Sequence, residues 1–256
     1  MSEATTLTDE QRSQLLALIR DADSVELKLT IPDSQRIATM HALDMDPLEA
    51  QIRQVFFFDT PDLALDRQGV VLRARRVQGV GDDSVVKLRP VVPAELPPAL
   101  RASPSFGVEV DAMPGGFVCS GSFKAKLPEP HVRSAAAGER PIRKLFTKEQ
   151  RAFFSDQVPS VEIDDLSILG PITVFKLKFR PKELAGRKMV AELWNYPDGS
   201  RIVELSTKCA PGETFQVAAE TRAFLFERGV ELTGEQQTKT RTALEFFANE
   251  LKGEAP

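Results

Sequence analysis

The feature that most constrains the fold is the segment of residues 54–75, QVFFFDTPDLALDRQGVVLRAR, which predicts two strands joined by a turn. Val55–Phe58 is an aromatic, apolar run typical of a buried strand. Asp59–Asp62 breaks this run, because Asp and Thr side chains bond to nearby backbone and proline forces an extended residue before it. In the second strand, Arg73 and Arg75 are two residues apart and therefore share a face. Their guanidinium groups bind water if that face is exposed, or an anion if it is enclosed.

An alternation of apolar and charged faces recurs along the chain and predicts about eight strands. Clear examples are residues 24–31, 84–89, 106–111 and 172–180, and residues 160–167 are also assigned to a strand. In residues 172–180, Lys176, Lys178 and Arg180 share one face. A half-buried sheet normally turns its polar face to water, but these polar faces carry both signs of charge. Closing the strands into a barrel would turn the ionic faces inward, around a charged lumen.

Capping patterns predict helices at both ends of the chain and one in between. Thr8-x-x-Gln11 and Thr147-x-x-Gln150 are capping-box patterns, the first ahead of a helix that runs to about Arg20. Two helices are expected near the C-terminal end. The first covers residues 213–228 and has Gly229 as its cap, and the second covers residues 234–251. The other segments are expected to be a helical turn or two within residues 33–53, a proline-rich connection at residues 90–105, and a long loop or insertion at residues 112–140.

The charge and the cysteine content argue against several classes of function. The net charge of −4 does not favour nucleic acid or an anionic membrane surface as a partner, so any basic site must be local. Cys119 and Cys209 lack metal-ligand spacing, and with only His41 and His131 beside them a zinc site is not expected. The first residues lack the basic and apolar regions of a signal peptide, and no apolar run is long enough for a membrane span. We therefore expect a soluble, cytoplasmic protein.

The order of the strand motifs resembles the CYTH domain, the fold of the triphosphate tunnel metalloenzymes. The motifs are Glu26-x-Lys28, the aromatic-Asp-Thr-Pro-Asp turn with the Leu-Arg-x-Arg strand in Phe56–Arg75, and the Lys-Leu-Arg strand that ends at Arg89. The resemblance covers about residues 24–244, so a single domain over residues 1–256 is expected. It implies an α+β fold, a closed eight-stranded antiparallel β-barrel with flanking helices, whose tunnel binds a triphosphate.

The resemblance also implies how the charged residues divide between phosphate and metal. Basic side chains would hold the phosphates: Lys28, Arg73, Arg75, Lys87, Arg89, Lys178, Arg180 and Lys239. Acidic side chains would hold Mg²⁺ or Mn²⁺, which prefer carboxylates with phosphate oxygens and water: Glu26, Glu109, Asp111, Glu192 and Glu204. Glu26, Lys28 and Arg73 would act most directly in catalysis. This division is physically reasonable, because a triphosphate taken out of water needs cations on more than one side and arginine binds phosphate oxygens bidentately.

Two positions depart from the pattern of the family. Its opening signature is Glu-x-Glu-x-Lys, and this chain has Ser24 in place of the first glutamate. Its late Glu-x-Glu strand here reads Glu204-Leu205-Ser206, with a serine in place of the second glutamate. Each change replaces a charged metal ligand with a neutral hydroxyl group. Anion binding should therefore survive better than metal-dependent hydrolysis.

The leading expectation from the resemblance is a metal-dependent phosphohydrolase of inorganic triphosphate or a related triphosphate compound. A non-catalytic tunnel that binds polyphosphate or a nucleotide is the alternative that Ser24 and Ser206 favour. A CYTH-type adenylyl cyclase and a thiamine triphosphatase also stay open, because one fold can host several chemistries.

Overall fold

In a computed structural model that describes residues 8–230 and 239–253, nine strands close into one barrel. The strands are β1 (Ser24–Ile31), β2 (Gln51–Asp59), β3 (Val70–Val77), β4 (Asp82–Leu88), β5 (Phe106–Met113), β6 (Gly116–Leu127), β7 (Ser167–Phe179), β8 (Met189–Asn195) and β9 (Arg201–Cys209). Their order around the barrel is β1-β5-β6-β4-β3-β2-β7-β8-β9, and β9 pairs with β1 to close it. All neighbouring strands are antiparallel except β1 and β5, which are parallel.

The prediction of a closed barrel with flanking helices is confirmed, but the barrel is mixed and the described residues form nine strands instead of eight. The prediction of a long loop over residues 112–140 is wrong in its first half, which forms β6. Gly115 turns the chain with a φ of 83°, which only glycine adopts readily, and β6 then pairs along the whole of β5. Glycine and serine at residues 120–122 dilute the apolar alternation of this strand, so the sequence pattern did not reveal it.

The strand predicted at residues 160–167 is also wrong. Residues Ile163–Asp165 form a short 3₁₀ turn, and Asp164 accepts a hydrogen bond from the backbone N–H of Arg143. β7 begins only at Ser167 and continues through Pro171 to Phe179. Proline has no N–H to give to a ladder, and the pairing of β2 with β7 shifts register at this point, as at a β-bulge.

Eight helices surround the barrel in the described part of the chain. They are α1 (Asp9–Arg20), α2 (Arg36–Ala42), α3 (Ala64–Arg67), α4 (Pro98–Arg101), α5 (His131–Ala136), α6 (Lys148–Gln157), α7 (Thr214–Glu227) and α8 (Lys239–Lys252). Both predicted capping boxes are present, at Thr8 and Thr147, and Gly229 follows α7 in the left-handed conformation. The predicted start of the last helix lies outside the described residues. Each described helix is too short or too polar to cross a lipid bilayer.

The apolar faces of the strands point outward and pack against the helices. Phe153 of α6 packs edge-to-face against Phe106 and Phe123 of the β5–β6 hairpin, with ring centres 5.8 and 5.3 Å apart. On the other side of the barrel, Leu244 and Phe247 of α8 lie in a buried cluster with Trp194, Tyr196 and Ile202. The hydrophobic core therefore lies between barrel and helices, and the ionic faces of the strands are left to line the lumen.

The turn after β2 depends on the carboxylate of Asp59, which is buried and accepts hydrogen bonds from the backbone N–H groups of Thr60, Leu65 and Asp66. Asp59→Ala leaves these donors without their partner, and we expect it to lower the free energy of unfolding by about 2 kcal/mol. Asp62→Ala is the control, since Asp62 is exposed and pairs only with exposed or part-buried groups. Urea denaturation measures both, and equal loss in the two variants would contradict this role for Asp59.

Candidate functional site

The lumen contains a cavity of about 430 Å³ that all nine strands and the start of α8 line. Among the described residues, eleven lysine or arginine side chains and six carboxylates face it, an excess of five positive charges. The chain as a whole has a net charge of −4, so positive charge is concentrated in this one place. The carboxylates belong to Glu26, Asp83, Glu109, Asp111, Glu192 and Glu204.

Three of the carboxylates form one cluster where β1 and β5 run parallel. The register pairs Ser24 with Glu109 and Glu26 with Asp111, and oxygen atoms of Glu26, Glu109 and Asp111 lie within 4.8 Å of one another. Lys28 Nζ lies 2.9 Å from Asp111 and 3.3 Å from Glu26. The parallel pairing of residues that are 85 positions apart in the chain thus creates a compact acidic group in the wall of a basic cavity.

Lysine side chains keep this acidic cluster ionised. Burial raises the pKa of Asp111, but its ion pairs with Lys87 and Lys28 outweigh burial and set the pKa at about 2. Burial likewise opposes the charge of Lys28, but Asp111 and Glu26 raise its pKa above the ordinary value. Burial raises the pKa of Glu26 and Lys28 lowers it, with a net shift downward. Glu26, Lys28 and Asp111 are therefore all charged at neutral pH.

A second pair of carboxylates, Glu192 and Glu204, lies directly opposite across β8 and β9. Lys239, the first residue of α8, donates hydrogen bonds to Glu192 Oε2 at 2.8 Å and to Glu204 Oε1 at 2.6 Å. Lys176 donates to the other oxygen of Glu192 at 2.8 Å. Burial raises the pKa of Glu192, but Lys239 and Lys176 lower it well below the ordinary value. This carboxylate pair is therefore bound to lysines and lies apart from the acidic cluster.

The opposite wall of the lumen, formed by β3, β4 and β6, carries cations that have no protein partner in the described residues. Arg73 Nε is buried and has no hydrogen-bond acceptor. Burial and the neighbouring Arg75 lower the pKa of Arg73 to about 10. Arg75 itself makes two hydrogen bonds to Asp83, at 2.8 and 2.6 Å. The side chains that form no ion pair or side-chain hydrogen bond in the described residues are those of Arg73, Arg89, Lys124 and Lys126.

The structure brings most of the sequence-predicted residues to the cavity. Six predicted phosphate ligands line it: Lys28, Arg73, Arg75, Lys87, Arg89 and Lys239. All five predicted metal ligands line it as well, but only Glu26, Glu109 and Asp111 share one cluster. Lys178 and Arg180 do not line it: Lys178 is exposed near the end of β7, and Arg180 follows the strand and donates to the carbonyl of Gly186. The two-residue spacing predicted that Lys178 and Arg180 share a strand face with Lys176. It did not predict that β7 extends beyond the cavity after Lys176.

Five further cations face the cavity without a role having been predicted for them. They are Arg53, Lys124, Lys126, Lys176 and Lys208. Lys176 lies on the ionic face that the strand pattern had identified. For Lys124 and Lys126, the alternation Phe123-Lys124-Ala125-Lys126-Leu127 indicates a strand. These residues were not recognised because the whole segment 112–140 was predicted to be a loop.

Ser24 and Ser206 both contact the acidic cluster. Ser24 Oγ donates to Glu109 Oε2 at 3.3 Å, and Ser206 Oγ donates to Glu26 Oε1 at 3.0 Å. Each hydroxyl group supports a carboxylate of the cluster without adding a negative charge of its own.

The residues of the acidic cluster fit a small divalent cation. All three side chains offer carboxylate oxygens, the donors that Mg²⁺ and Mn²⁺ prefer. Asp111 Oδ1 is buried and has no partner in hydrogen-bond geometry, although Lys28 Nζ lies 2.9 Å away. The charge of Lys28 therefore stabilises this oxygen, and a divalent cation in the cluster would share it with Lys28.

A closed barrel whose ionic faces line a central cavity, with a carboxylate cluster on β1 and β5 and a cationic wall on β3, β4 and β6, has the architecture of a charged tunnel. The fold of this chain is the CYTH, or triphosphate tunnel, fold.

Two solved structures show the same fold. One is a candidate adenylate cyclase from Bacillus halodurans, with a TM-score of 0.59 and 13% identity, covering 86% of this chain and 97% of that one. The other is HpAC1 from Hippeastrum, a candidate adenylyl cyclase described as having a dominant triphosphatase activity. Its TM-score is 0.61 at 18% identity, covering 90% of this chain and 96% of that one. No known family model and no curated protein matches the sequence.

Proposed function

We propose that this chain hydrolyses a phosphoanhydride bond of inorganic triphosphate, or of a closely related triphosphate, inside the tunnel with a divalent metal. The observation that carries the proposal is the cationic wall around Arg73, whose buried Nε has no acceptor in the described residues. A buried cation without a partner is unfavourable, so this wall gains most from an anionic ligand. The dominant triphosphatase activity of the structurally similar HpAC1 supports the same reaction class.

The side chains of the tunnel would hold the ligand from two sides. Arg73 and Arg75 can donate to phosphate oxygens in the bidentate geometry that guanidinium groups favour. Lys87 reaches the same space from β4, and burial lowers its pKa in spite of the nearby Asp111. Its charge is therefore incompletely compensated, and a phosphate oxygen would stabilise it. These contacts orient the anion with one end toward the carboxylate cluster.

Lys28 would act as a fixed positive charge at the reacting phosphorus. Its ammonium group is held between Asp111 and Glu26, and its raised pKa keeps it protonated. It therefore cannot serve as a base at neutral pH, but it can donate to a non-bridging oxygen on which charge develops. A divalent cation held by Glu26, Glu109 and Asp111 would supply further charge stabilisation and position a water molecule.

A second function, anion binding without turnover, is favoured by the contacts of the acidic cluster. Ser24 and Ser206 replace two charged ligands with hydroxyl groups, and lysines pair with each of the three remaining carboxylates. A cluster that is neutralised by lysines attracts a metal ion less strongly than a bare one. The cationic wall is unaffected by these changes.

The test is phosphate release from inorganic triphosphate with Mg²⁺, with Mn²⁺ and with a chelator, with ATP as a parallel substrate. We expect metal-dependent release of phosphate from triphosphate and little cyclic AMP from ATP. Cyclic AMP as the main product would replace the hydrolase with a cyclase. If triphosphate raises the melting temperature but is not cleaved, the tunnel is a binding site. If it neither binds nor reacts, both proposals fail.

A further inference from the structure

Lys208 is the most exposed of the three lysines that contact the acidic cluster in the described residues. It lies on β9 directly opposite Glu26 of β1 and forms an ion pair with Glu109. Its side chain is 51% exposed, against 18% for Lys28 and 22% for Lys87, the other two lysines that contact the cluster in the described residues. A half-exposed lysine has a flexible stem and a strongly hydrated ammonium group, so it can swing into solvent at little cost.

The three lysines balance the charge of the cluster. Glu26, Glu109 and Asp111 carry three negative charges, and Lys28, Lys87 and Lys208 carry three positive ones. The ammonium group of Lys208 and the hydroxyl group of Ser24 both donate to the same atom, Glu109 Oε2. One oxygen of the cluster is therefore already occupied by two donors of the chain itself.

We infer that Lys208 is a built-in competitor of the metal ion. Its ammonium group occupies the Glu109 side of the cluster, so that a divalent cation binds the ligand-free tunnel weakly and must displace Lys208 to reach Glu109. The inference rests on the metal site of the proposed function. It adds that the metal enters efficiently only together with the anionic ligand, whose negative charge attracts both the metal and the displaced ammonium group.

The charges at this position explain why serine and lysine occur together. A glutamate at residue 24 would lie beside Glu109 and repel it unless a cation separated them. A glutamate with one divalent cation carries a net charge of +1, and Ser24 with Lys208 carries the same charge. The chain thus reaches the same local charge with its own side chains, without a metal ion.

Binding of Mn²⁺ to the substrate-free protein tests the inference, with free Mn²⁺ followed by electron paramagnetic resonance. We expect Lys208→Met to bind Mn²⁺ at least about tenfold more tightly than the wild type, because one positive charge next to the metal is removed. Lys126→Met is the matched control: it also removes a lysine of the cavity, but Lys126 forms no ion pair in the described residues. It should change the affinity less than about threefold.

The double variant Ser24→Glu/Lys208→Met should bind Mn²⁺ more tightly than Lys208→Met, because it adds a carboxylate next to Glu109. Equal affinities of the wild type and Lys208→Met would overturn the inference and leave the proposed metal site in place. So would an equal gain in the Lys126→Met control, which would indicate a general effect of charge. If no variant binds Mn²⁺, the inference fails together with the metal-dependent part of the proposed function.

Discussion

Replacing Arg73 with alanine is expected to lower kcat/KM for inorganic triphosphate about 100-fold or more, a loss of roughly 3 kcal/mol in transition-state stabilisation. The reason is the position of the guanidinium group in the cationic wall. Its Nε is buried and has no acceptor in the described part of the chain, so its hydrogen-bonding capacity is available to a ligand. The measurement is steady-state phosphate release, together with the shift of the melting temperature that triphosphate produces.

The stability of the ligand-free protein should change in the opposite direction. Burial and Arg75 lower the pKa of Arg73 to about 10, which means that the fold disfavours the charged form that is present at neutral pH. Removing this charge with Arg73→Met, which keeps most of the apolar stem, should therefore raise the melting temperature without ligand. If replacing Arg73 lowers the activity and raises the stability of the protein, the role of Arg73 is to bind the ligand and not to stabilise the fold.

Arg76→Ala is the matched control for Arg73. Arg76 lies on the same strand, does not line the cavity, and donates to Gln54 at 2.6 Å. We expect its replacement to leave triphosphate binding and turnover within about twofold of the wild type, as for most surface substitutions. If Arg76→Ala and Arg73→Ala lose activity equally, the effect comes from the strand and not from the cationic wall.

The parts of the fold that the sequence predicted correctly are those encoded by neighbouring residues. Alternation over residues 24–31 predicted β1 and its ionic face, and the capping boxes at Thr8 and Thr147 predicted where α1 and α6 begin. The arginine pair at residues 73 and 75 identified the lumen face of β3 because period two is a local property of a strand. Such signals need no knowledge of the partner strand.

The parts that the sequence did not reveal depend on partners far away in the chain. The parallel pairing of β1 with β5 brings Glu26 and Asp111 together across about 80 residues, and no local pattern indicates it. The contact between Lys208 and Glu109 follows from the same arrangement, because β9 and β5 lie on either side of β1. Glu192 and Glu204 were predicted as metal ligands, although the structure shows them bound to lysines, one of them at the start of α8. Where a helix docks is decided by packing over the whole barrel and not by its own sequence.

Lys239→Met should strongly destabilise the fold, because it removes the shared partner of Glu192 and Glu204. The side chain of Lys239 is largely buried between Glu192 and Glu204, which lie opposite each other on β8 and β9. Removing the ammonium group leaves two neighbouring carboxylates, of which Glu192 keeps Lys176 and the indole N–H of Trp194 as partners. Breaking a buried ion pair in this way costs about 3 kcal/mol or more, which corresponds to a fall of roughly 6–12 °C in melting temperature for a chain of this size.

The control on the same helix is Arg241→Ala. Arg241 is exposed and pairs with Glu245, one turn further along α8. Exposed pairs of this kind contribute about 0.5 kcal/mol or less, so the melting temperature should hardly change. A similar loss in both variants would mean that α8 is held by its charges in general and not by the contacts of Lys239 in the lumen.

The dependence on pH separates loss of the ion pairs from simple loss of packing. In the wild type, Lys239 and Lys176 hold the pKa of Glu192 below its ordinary value, so this carboxylate stabilises the fold at neutral pH and the contribution is lost as the pH falls. In Lys239→Met the same carboxylate faces Glu204 with less compensation, its pKa rises, and protonation now relieves repulsion. The difference in melting temperature between wild type and variant should therefore be largest near pH 7.5 and shrink toward pH 5.

Adding Glu204→Gln to Lys239→Met should recover most of the loss at pH 7.5, because one of the two facing charges is gone. A difference that does not vary with pH, with no recovery in the double variant, would assign the role of Lys239 to its cation–π contact with Trp194, whose ring centre lies 5.0 Å from the ammonium nitrogen.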